Sequence, residues 1–340
     1  MRRILFIAIV AAFVTAGCTT SGGNLPRARQ NAMVKAAVDS FINATTTEIT
    51  EPEFLELHSI MLVQHGKVLE ARWINGAAPD TPHVMYSVSK TFTAMAAGLA
   101  VDDGLLSVDD KVTEIFPDKL PAEVSDNLAA MTIKDLMTMT CGQEKETAAI
   151  ANPGSDWVED ILAEPVVNLP GTDFTYNSLA TYLVSAAVQK VTGQKVVDYL
   201  DARVFRPLGI EKPRWDESPQ GINCGGWGLF LKTEDMAKAG QLLLNGGKWN
   251  GQQLISEEWV KEMTSFKVPN NLKGDPRPDW TQGYCYYMWR CTHNGVRADG
   301  KDGQYIILLP EKDAVIALTA YSNQYQKYLD LVWKYIYPAL

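Results

Sequence analysis

The sequence has little of what many familiar catalytic schemes require. Only four histidines occur in 340 residues, at His58, His65, His83 and His293, and none has a motif partner. Isolated histidines of this kind read as structural residues; His65 falls in an expected turn, and His83 precedes Ser87 by four residues. There is no His-Glu-x-x-His segment, no Cys-x-x-Cys pair and no mixed His/Cys cluster, so the common zinc signatures are excluded. No Gly-x-x-x-x-Gly-Lys loop is present to cradle a phosphate. The Gly-x-Ser-x-Gly elbow is missing too, which argues against an α/β-hydrolase. No metal or organic cofactor is expected. Apart from Arg2 and Arg3 the chain has no basic cluster, and its net charge is −9. Without a basic stripe to neutralise phosphates, nucleic acid is not an expected partner.

Long apolar runs are scarce as well. The eleven apolar residues from Ile4 to Val14 are too few to cross about 30 Å of hydrocarbon. Preceded by Arg2 and Arg3 and followed by "TAGC", they have the layout of an export signal. "TAGC" resembles the bacterial lipobox, with Thr15 where an aliphatic residue is usual. That resemblance implies that Cys18 is lipidated and becomes the mature N-terminus, anchored to the cell envelope. Thr19, not being aspartate, implies the outer membrane in a two-membrane cell. Plain cleavage to a soluble periplasmic or secreted protein is the alternative. Residues 1–18 are thus expected to be removed, taking Arg2 and Arg3 and leaving a net charge of −11. Residues 19–30, "TTSGGNLPRARQ", have the composition of a flexible tether. Four cysteines then remain, Cys141, Cys224, Cys285 and Cys291, which an exported protein could oxidise. Cys285 and Cys291 cannot pair with each other along a strand, because six residues span roughly 20 Å. A bridge would need other partners; free buried thiols are the alternative.

With 46% apolar and 21% charged residues, the chain can bury a substantial core. Residues 31–45 read as a helix. "LHSIMLV" and "KVLEARWI", separated by "QHG", read as a hairpin. The run around residues 94–101 is helical and stops at Gly104. From Leu105 to about Lys273 the pattern is helical and rich in loops. "TIKDLMTM", "SLATYLVSAAVQKVTG" and "KTEDMAKAGQLLLNGG" have capping residues and three-to-four spacing. Strands return in "YCYYMWR", "QYIILLP" and "AVIALTA", and "QYQKYLDLVWKYIY" is a final helix. The expected fold class is therefore α/β (α+β). One antiparallel sheet is built from both termini and flanked by helices, with a helical subdomain of about 105–275 inserted into a single 31–340 domain. A cleft between the two parts is the natural place for a site.

One chemical signature stands out against these absences. "YSVSKTFTAMAAGLA" places Ser87 and Lys90 three residues apart at the start of an apolar helix. Ser87 is expected in the first turn, with Lys90 one turn later on the same face. A serine needs a base beside it to act as a nucleophile. A lysine can be that base when burial and a helix N-terminus disfavour its ammonium form. The alternative makes Ser87 a capping residue and Lys90 a surface charge. "PGTDFTYNS" then places Tyr176 just before a helix that Asn177 or Ser178 could cap.

Taken together, these stretches resemble the serine β-lactamase and penicillin-binding protein superfamily. The branch they resemble is the class C-like one, with 6-aminohexanoate-dimer hydrolases, esterases and D-aminopeptidases. The likeness runs in family order over residues 50–322, through "SVSKTFTA", "LMTMTCG", "PGTDFTYNS", "FRPLGI", "CGGWGLFLKTEDMAKAGQLLLNGG", "GQQLISEEWV" and "ADGKDGQYIILLPEKDAVIALTA". It implies Ser87 as nucleophile, with Lys90 and Tyr176 as its proton-transfer partners. It also implies an oxyanion site from the backbone N–H groups of Ser87 and of Lys301, which follows Gly300. A glycine at 300 is expected to leave room for an approaching substrate. Trp227, beside Gly225 and Gly226, either walls the pocket or packs in the core. Cys141 and Cys224 fall in segments that line the family's site and are expected to be packing residues or a bridge.

Two departures bear on substrate. Ser178 stands where the family usually has asparagine, and Ala298-Asp299-Gly300 stands where lactamases have Lys-Thr-Gly. The implied activity is hydrolysis of small amides or esters through an acyl-serine, on substrates that could be peptidoglycan-derived. The alternatives are a peptidoglycan DD-carboxypeptidase or class C β-lactamase, and a non-catalytic cell-wall-binding lipoprotein.

Overall fold

The computed structural model describes residues 27–152, 154–270 and 275–340. The export signal, Cys18 and the tether up to residue 26 lie outside the described residues. Helix α1 (Arg27–Thr47) begins four residues before the expected start at 31. Its buried Val34, Val38 and Phe41 set the inward face. Strands β1 (Leu55–Gln64) and β2 (Lys67–Trp73) form the expected hairpin. It turns at His65 and Gly66, both left-handed at φ 51° and 68°, the geometry that a two-residue hairpin needs. The His65 ring accepts no catalytic task there; its Nδ1 meets Asp313 Oδ2 at 2.8 Å.

Beyond a short β3 (His83–Val84) comes α2 (Ser89–Asp102), buried over nearly its whole length. Gly98 in its middle is explained by contact. A Cβ there would sit 2.0 Å from the Trp259 indole, whose N–H donates to Ala94 O at 3.0 Å. Short helices α3 (Val112–Ile115), α4 (Asp126–Ala130), α5 (Ile133–Met137) and α6 (Trp157–Ala163) follow. Next are α7 (Ser178–Thr192) and α8 (Val196–Leu200). Helix α5 starts at a capping box between Thr132 and Asp135. Helix α7 starts at Asn177, whose side chain accepts from Ala180 N at 2.9 Å, and stops at left-handed Gly193.

The remaining elements close the sheet. Strand β4 (Phe230–Leu231) pairs with β3. Helix α9 (Thr233–Leu244), a β5–β6 hairpin (Lys248–Trp249, Gln252–Gln253) and α10 (Glu257–Thr264) come next. Strands β7 (Trp289–Arg290), β8 (Val296–Gly300), β9 (Gln304–Leu309) and β10 (Ala314–Ser322) precede α11 (Tyr325–Leu331). The main sheet runs β2-β1-β10-β9-β8-β7, antiparallel throughout. Leu57 opposite Ala320 and Leu62 opposite Ile316 join the two ends of the chain. Helices α1 and α11 cover one face, where Phe41 stacks on Tyr328. Helix α9 covers the other, with Gly240 set so close that a Cβ would meet Val315 and Ile306 within 2.7 Å. One expected strand shrinks: "YCYYMWR" is a regular strand only at Trp289–Arg290, with Tyr284 in isolated bridges to Val268 and Trp289, because Tyr287 between them turns left-handed at φ 57°. Among the described residues no helix is long and apolar enough to cross a membrane.

Candidate active site

Ser87 does not sit in the first turn of α2, as the spacing suggested. It lies in a separate 3₁₀ turn, Tyr86–Val88, immediately before α2. Neither that turn nor α2 is capped by a side-chain hydrogen bond, so the capping account of Ser87 fails. Tyr86 enters the turn at φ 45°, a left-handed conformation that a tyrosine adopts only where its surroundings hold it. Met85 anchors the turn through its N–H to Leu229 O at 2.8 Å.

Lys90 is not a surface charge. Only 1% of the residue is exposed. Its Nζ lies 3.0 Å from Ser87 Oγ, 3.2 Å from Ser178 Oγ and 2.9 Å from Gly226 O. Three acceptors match the three protons of an ammonium. Burial nevertheless disfavours the charged form and lowers its pKa to about 7, against the opposing pull of Glu146 and Asp299. In the neutral amine only two protons remain. Gly226 O can only accept, so the Ser87 hydroxyl is free to donate into the nitrogen lone pair. The contact is therefore in place for moving a proton from Ser87 to Lys90.

Tyr176 reaches the same spot from the other side. Its ring lies 4.8 Å below Lys90 Nζ, centroid to nitrogen, and stacks on Trp289 at 5.7 Å. Tyr284 meets it edge-on at 6.5 Å. Although 37% of Tyr176 is exposed, loss of water around the phenol is the dominant influence and raises its pKa; the neighbouring Ser87 hydroxyl pulls the other way. Behind Trp289 the fully buried Arg297 guanidinium lies 4.3 Å from the Trp280 ring centre and donates to Asp299 Oδ2 at 2.9 Å. The structure thus brings Ser87, Lys90, Tyr176 and Ser178 into one cluster.

Two glycines make that convergence sterically feasible. A Cβ on Gly226 would lie 2.7 Å from Ser178 O, and one on left-handed Gly225 (φ 67°) would lie 2.8 Å from Ser185 Cβ. The 225–226 backbone therefore wedges between α2 and α7. It is held there by Thr93 Oγ1, which donates to Gly225 O at 2.9 Å. This is what delivers the Gly226 carbonyl to Lys90.

The remaining expectations meet mixed fortunes. Gly300 ends β8, but the neighbour that its missing side chain spares is the protein's own backbone: a Cβ would fall 2.4 Å from Met85 O. The protein's own packing therefore already requires a glycine there. It also shows that β8 lies directly against the Ser87 turn. Lys301 follows in the 3₁₀ turn Lys301–Gly303, its Nζ 5.9 Å from the Tyr86 ring centre. Ala298 is fully buried and offers no charge. Trp227 packs on Trp157, with ring centres 6.0 Å apart. All four described cysteines are free and buried, so no bridge forms among them. Burial pushes the Cys141 thiol up to about 11 and those of Cys224, Cys285 and Cys291 up to about 12, values unsuited to nucleophiles. His58 and His83 bond to each other at 2.9 Å, away from the cluster's own hydrogen bonds. Among the described residues no group of three His, Cys, Asp or Glu side chains is placed to hold a metal ion.

The sequence reading missed two features. Trp289 and Tyr284, which hold the Tyr176 ring, come from a segment read only as a strand. Glu146 comes from a loop with no motif; it accepts the Ser178 N–H and exerts the largest charge effect on Lys90.

A comparison with known families matches residues 58–338 to the beta-lactamase family. The chain belongs to the beta-lactamase family. This is a family of hydrolases, and the chain's relatives include a 6-aminohexanoate-dimer hydrolase. The beta-lactamase-family chain is 24% identical over 282 residues to the 6-aminohexanoate-dimer hydrolase of Paenarthrobacter ureafaciens, covering 76% of this chain and 71% of that one. Its fold matches a penicillin-binding protein homologue from Caulobacter crescentus with a TM-score of 0.72, at 16% identity and covering 92% of this chain and 98% of that one. A family VIII carboxylesterase matches with a TM-score of 0.69, at 15% identity and with coverage of 92% and 98%. At these identities the two structures establish the fold, the β-lactamase/transpeptidase-like arrangement expected from the sequence.

Proposed function

We propose that this beta-lactamase-family protein hydrolyses small amides or esters through an acyl-enzyme on Ser87. The observation that carries the reading is Lys90: a buried lysine with a pKa of about 7, its nitrogen 3.0 Å from the Ser87 hydroxyl. In the first step neutral Lys90 takes the Ser87 proton as Oγ bonds to the substrate carbonyl carbon. The oxyanion that forms is received by backbone N–H groups, those of Ser87 and Lys301 being the candidates. Each such donor is worth about 3 kcal/mol of barrier. The intermediate collapses by breaking the bond to the alcohol or amine. Tyr176, whose raised pKa keeps it protonated, gives that leaving group its proton and is reprotonated from the Lys90 ammonium. Water then attacks the acyl carbon, losing its proton to the Lys90–Tyr176 pair. Ser87 leaves with a proton, and the acid is released.

Fluorophosphonate labelling of Ser87, followed by a panel of short esters, D-amino-acid amides and nitrocefin, tests the reading. Labelling with ester or amide turnover supports it. Nitrocefin or D-Ala-D-Ala turnover above all other substrates would return the lactamase or carboxypeptidase reading. No labelling at all would point to the non-catalytic binding module. The envelope location through a lipidated Cys18 is proposed on the sequence signal alone.

A further inference from the structure

The loop between α5 and α6 is fastened onto the turn that carries Tyr176, and it brings a carboxylate with it. Left-handed Gly142 (φ 84°) opens the loop. Buried Gln143 then donates to Ile161 O at 2.7 Å and to Glu164 O at 3.2 Å, and its Oε1 accepts from Asn177 Nδ2 at 3.4 Å. Three residues later Glu146 Oε1 accepts the N–H of Ser178, the first residue of α7. Ser178 Oγ is in turn 3.2 Å from Lys90 Nζ.

We propose that Glu146 is a positioning residue of the acyl-transfer site, fixing the first turn of α7 and holding a negative charge against Lys90. The inference rests on the proposed function for the role of Lys90 as base. Charged and titratable groups face Lys90 from every side. Glu146 comes from the α5–α6 loop, Tyr176 from the segment before α7, and Asp299 from β8. The two carboxylates differ in their company. Asp299 is bonded to the Arg297 guanidinium and has Arg277 nearby, so its charge is largely answered. Glu146 meets a neutral peptide N–H, so its charge is directed at Lys90 with no cation bonded to it at that contact. Burial alone would leave the base of this site uncharged over a wider pH range. Glu146 sets the lower edge of that range, so that Lys90 can be neutral before it takes the Ser87 proton and charged until it passes a proton on to Tyr176.

The test is Glu146→Gln, which keeps an acceptor oxygen for Ser178 N while removing the charge. Two readouts are used on the full-length protein: the ¹³C NMR titration of Lys90, assigned through Lys90→Arg, and the pH dependence of kcat/KM for p-nitrophenyl acetate. The expected result is a fall of about one unit in the Lys90 midpoint and a matching shift of the acid limb. Glu146→Asp should return part of it, and Glu144→Gln on the same loop should change neither. An unmoved Lys90 titration in Glu146→Gln overturns the inference. A wild-type enzyme without ester turnover, whose Lys90 midpoint still falls on Glu146→Gln, overturns the acyl-serine reading instead and leaves the coupling standing.

Discussion

The carbonyl of Gly226 lies 2.9 Å from Lys90 Nζ, and it can stand there only because residue 226 has no side chain. Gly226→Ala would place a methyl 2.7 Å from Ser178 O, so the 225–227 backbone must retreat from α7 and from Lys90. A displacement approaching 1 Å in such a site lowers kcat by about 10²-fold, and overpacking costs about 1–3 kcal/mol of stability. Steady-state kinetics and thermal unfolding measure both. An alanine variant with wild-type kcat would show that this carbonyl does not help to set the base.

Lys90 predicts a pH-rate profile and a stability profile of definite sign. Activity that depends on neutral Lys90 should rise with pH through about 7 in kcat/KM, with no fall due to Tyr176 up to its ordinary range near 10. The folded pKa lies below the unfolded value of 10.5. Between the two, the unfolded chain binds the extra proton, so stability rises with pH across that window. Lys90→Met should therefore abolish Ser87 labelling yet raise Tm at pH 7, a gain that shrinks towards pH 10. A Tm difference that stays constant from pH 6 to pH 10 would contradict a depressed Lys90 pKa.

Substrate preference should follow from two substitutions at the cluster. Ser178 offers Lys90 only a hydroxyl, and fully buried Ala298 puts no cation at its own position on β8 to receive a substrate carboxylate, the neighbouring Arg297 being bonded to Asp299. Turnover of nitrocefin should fall at least about 10²-fold below that of the best small ester in kcat/KM. Comparable values for the two would exclude the esterase-like preference.

Cys18 carries the prediction about location. If "TAGC" is processed as a lipobox, metabolically supplied palmitate should label the wild-type protein, and Cys18→Ser should remove the label and release the protein from membranes. Two or more acyl chains give stable partitioning, so the two fractions should separate cleanly. Wild-type protein found wholly soluble would leave simple secretion as the route.

The amino-acid order by itself determined the strands at both ends, the β1–β2 hairpin, the start of α5 and both the start and the stop of α7. It also determined the Ser87–Lys90 pair. These are local matters: side-chain periodicity, turn residues that tolerate positive φ, and capping side chains a few residues from the groups they satisfy. The same logic misjudged "YCYYMWR", where an apolar, aromatic run looks like a strand until a left-handed Tyr287 breaks it. Only tertiary structure decided the environment of Lys90. Two of its three acceptors, Gly226 and Ser178, come from 136 and 88 positions away, and its pKa near 7 comes from burial opposed by Glu146 and Asp299. Gly300 teaches the same lesson, since what its hydrogen spares is Met85 O on the turn before α2. So does Glu146, which has no motif and acts through a contact with Ser178. A pKa shift depends on lost water and on charges across space, and no spacing along the chain encodes either until the fold brings the segments together.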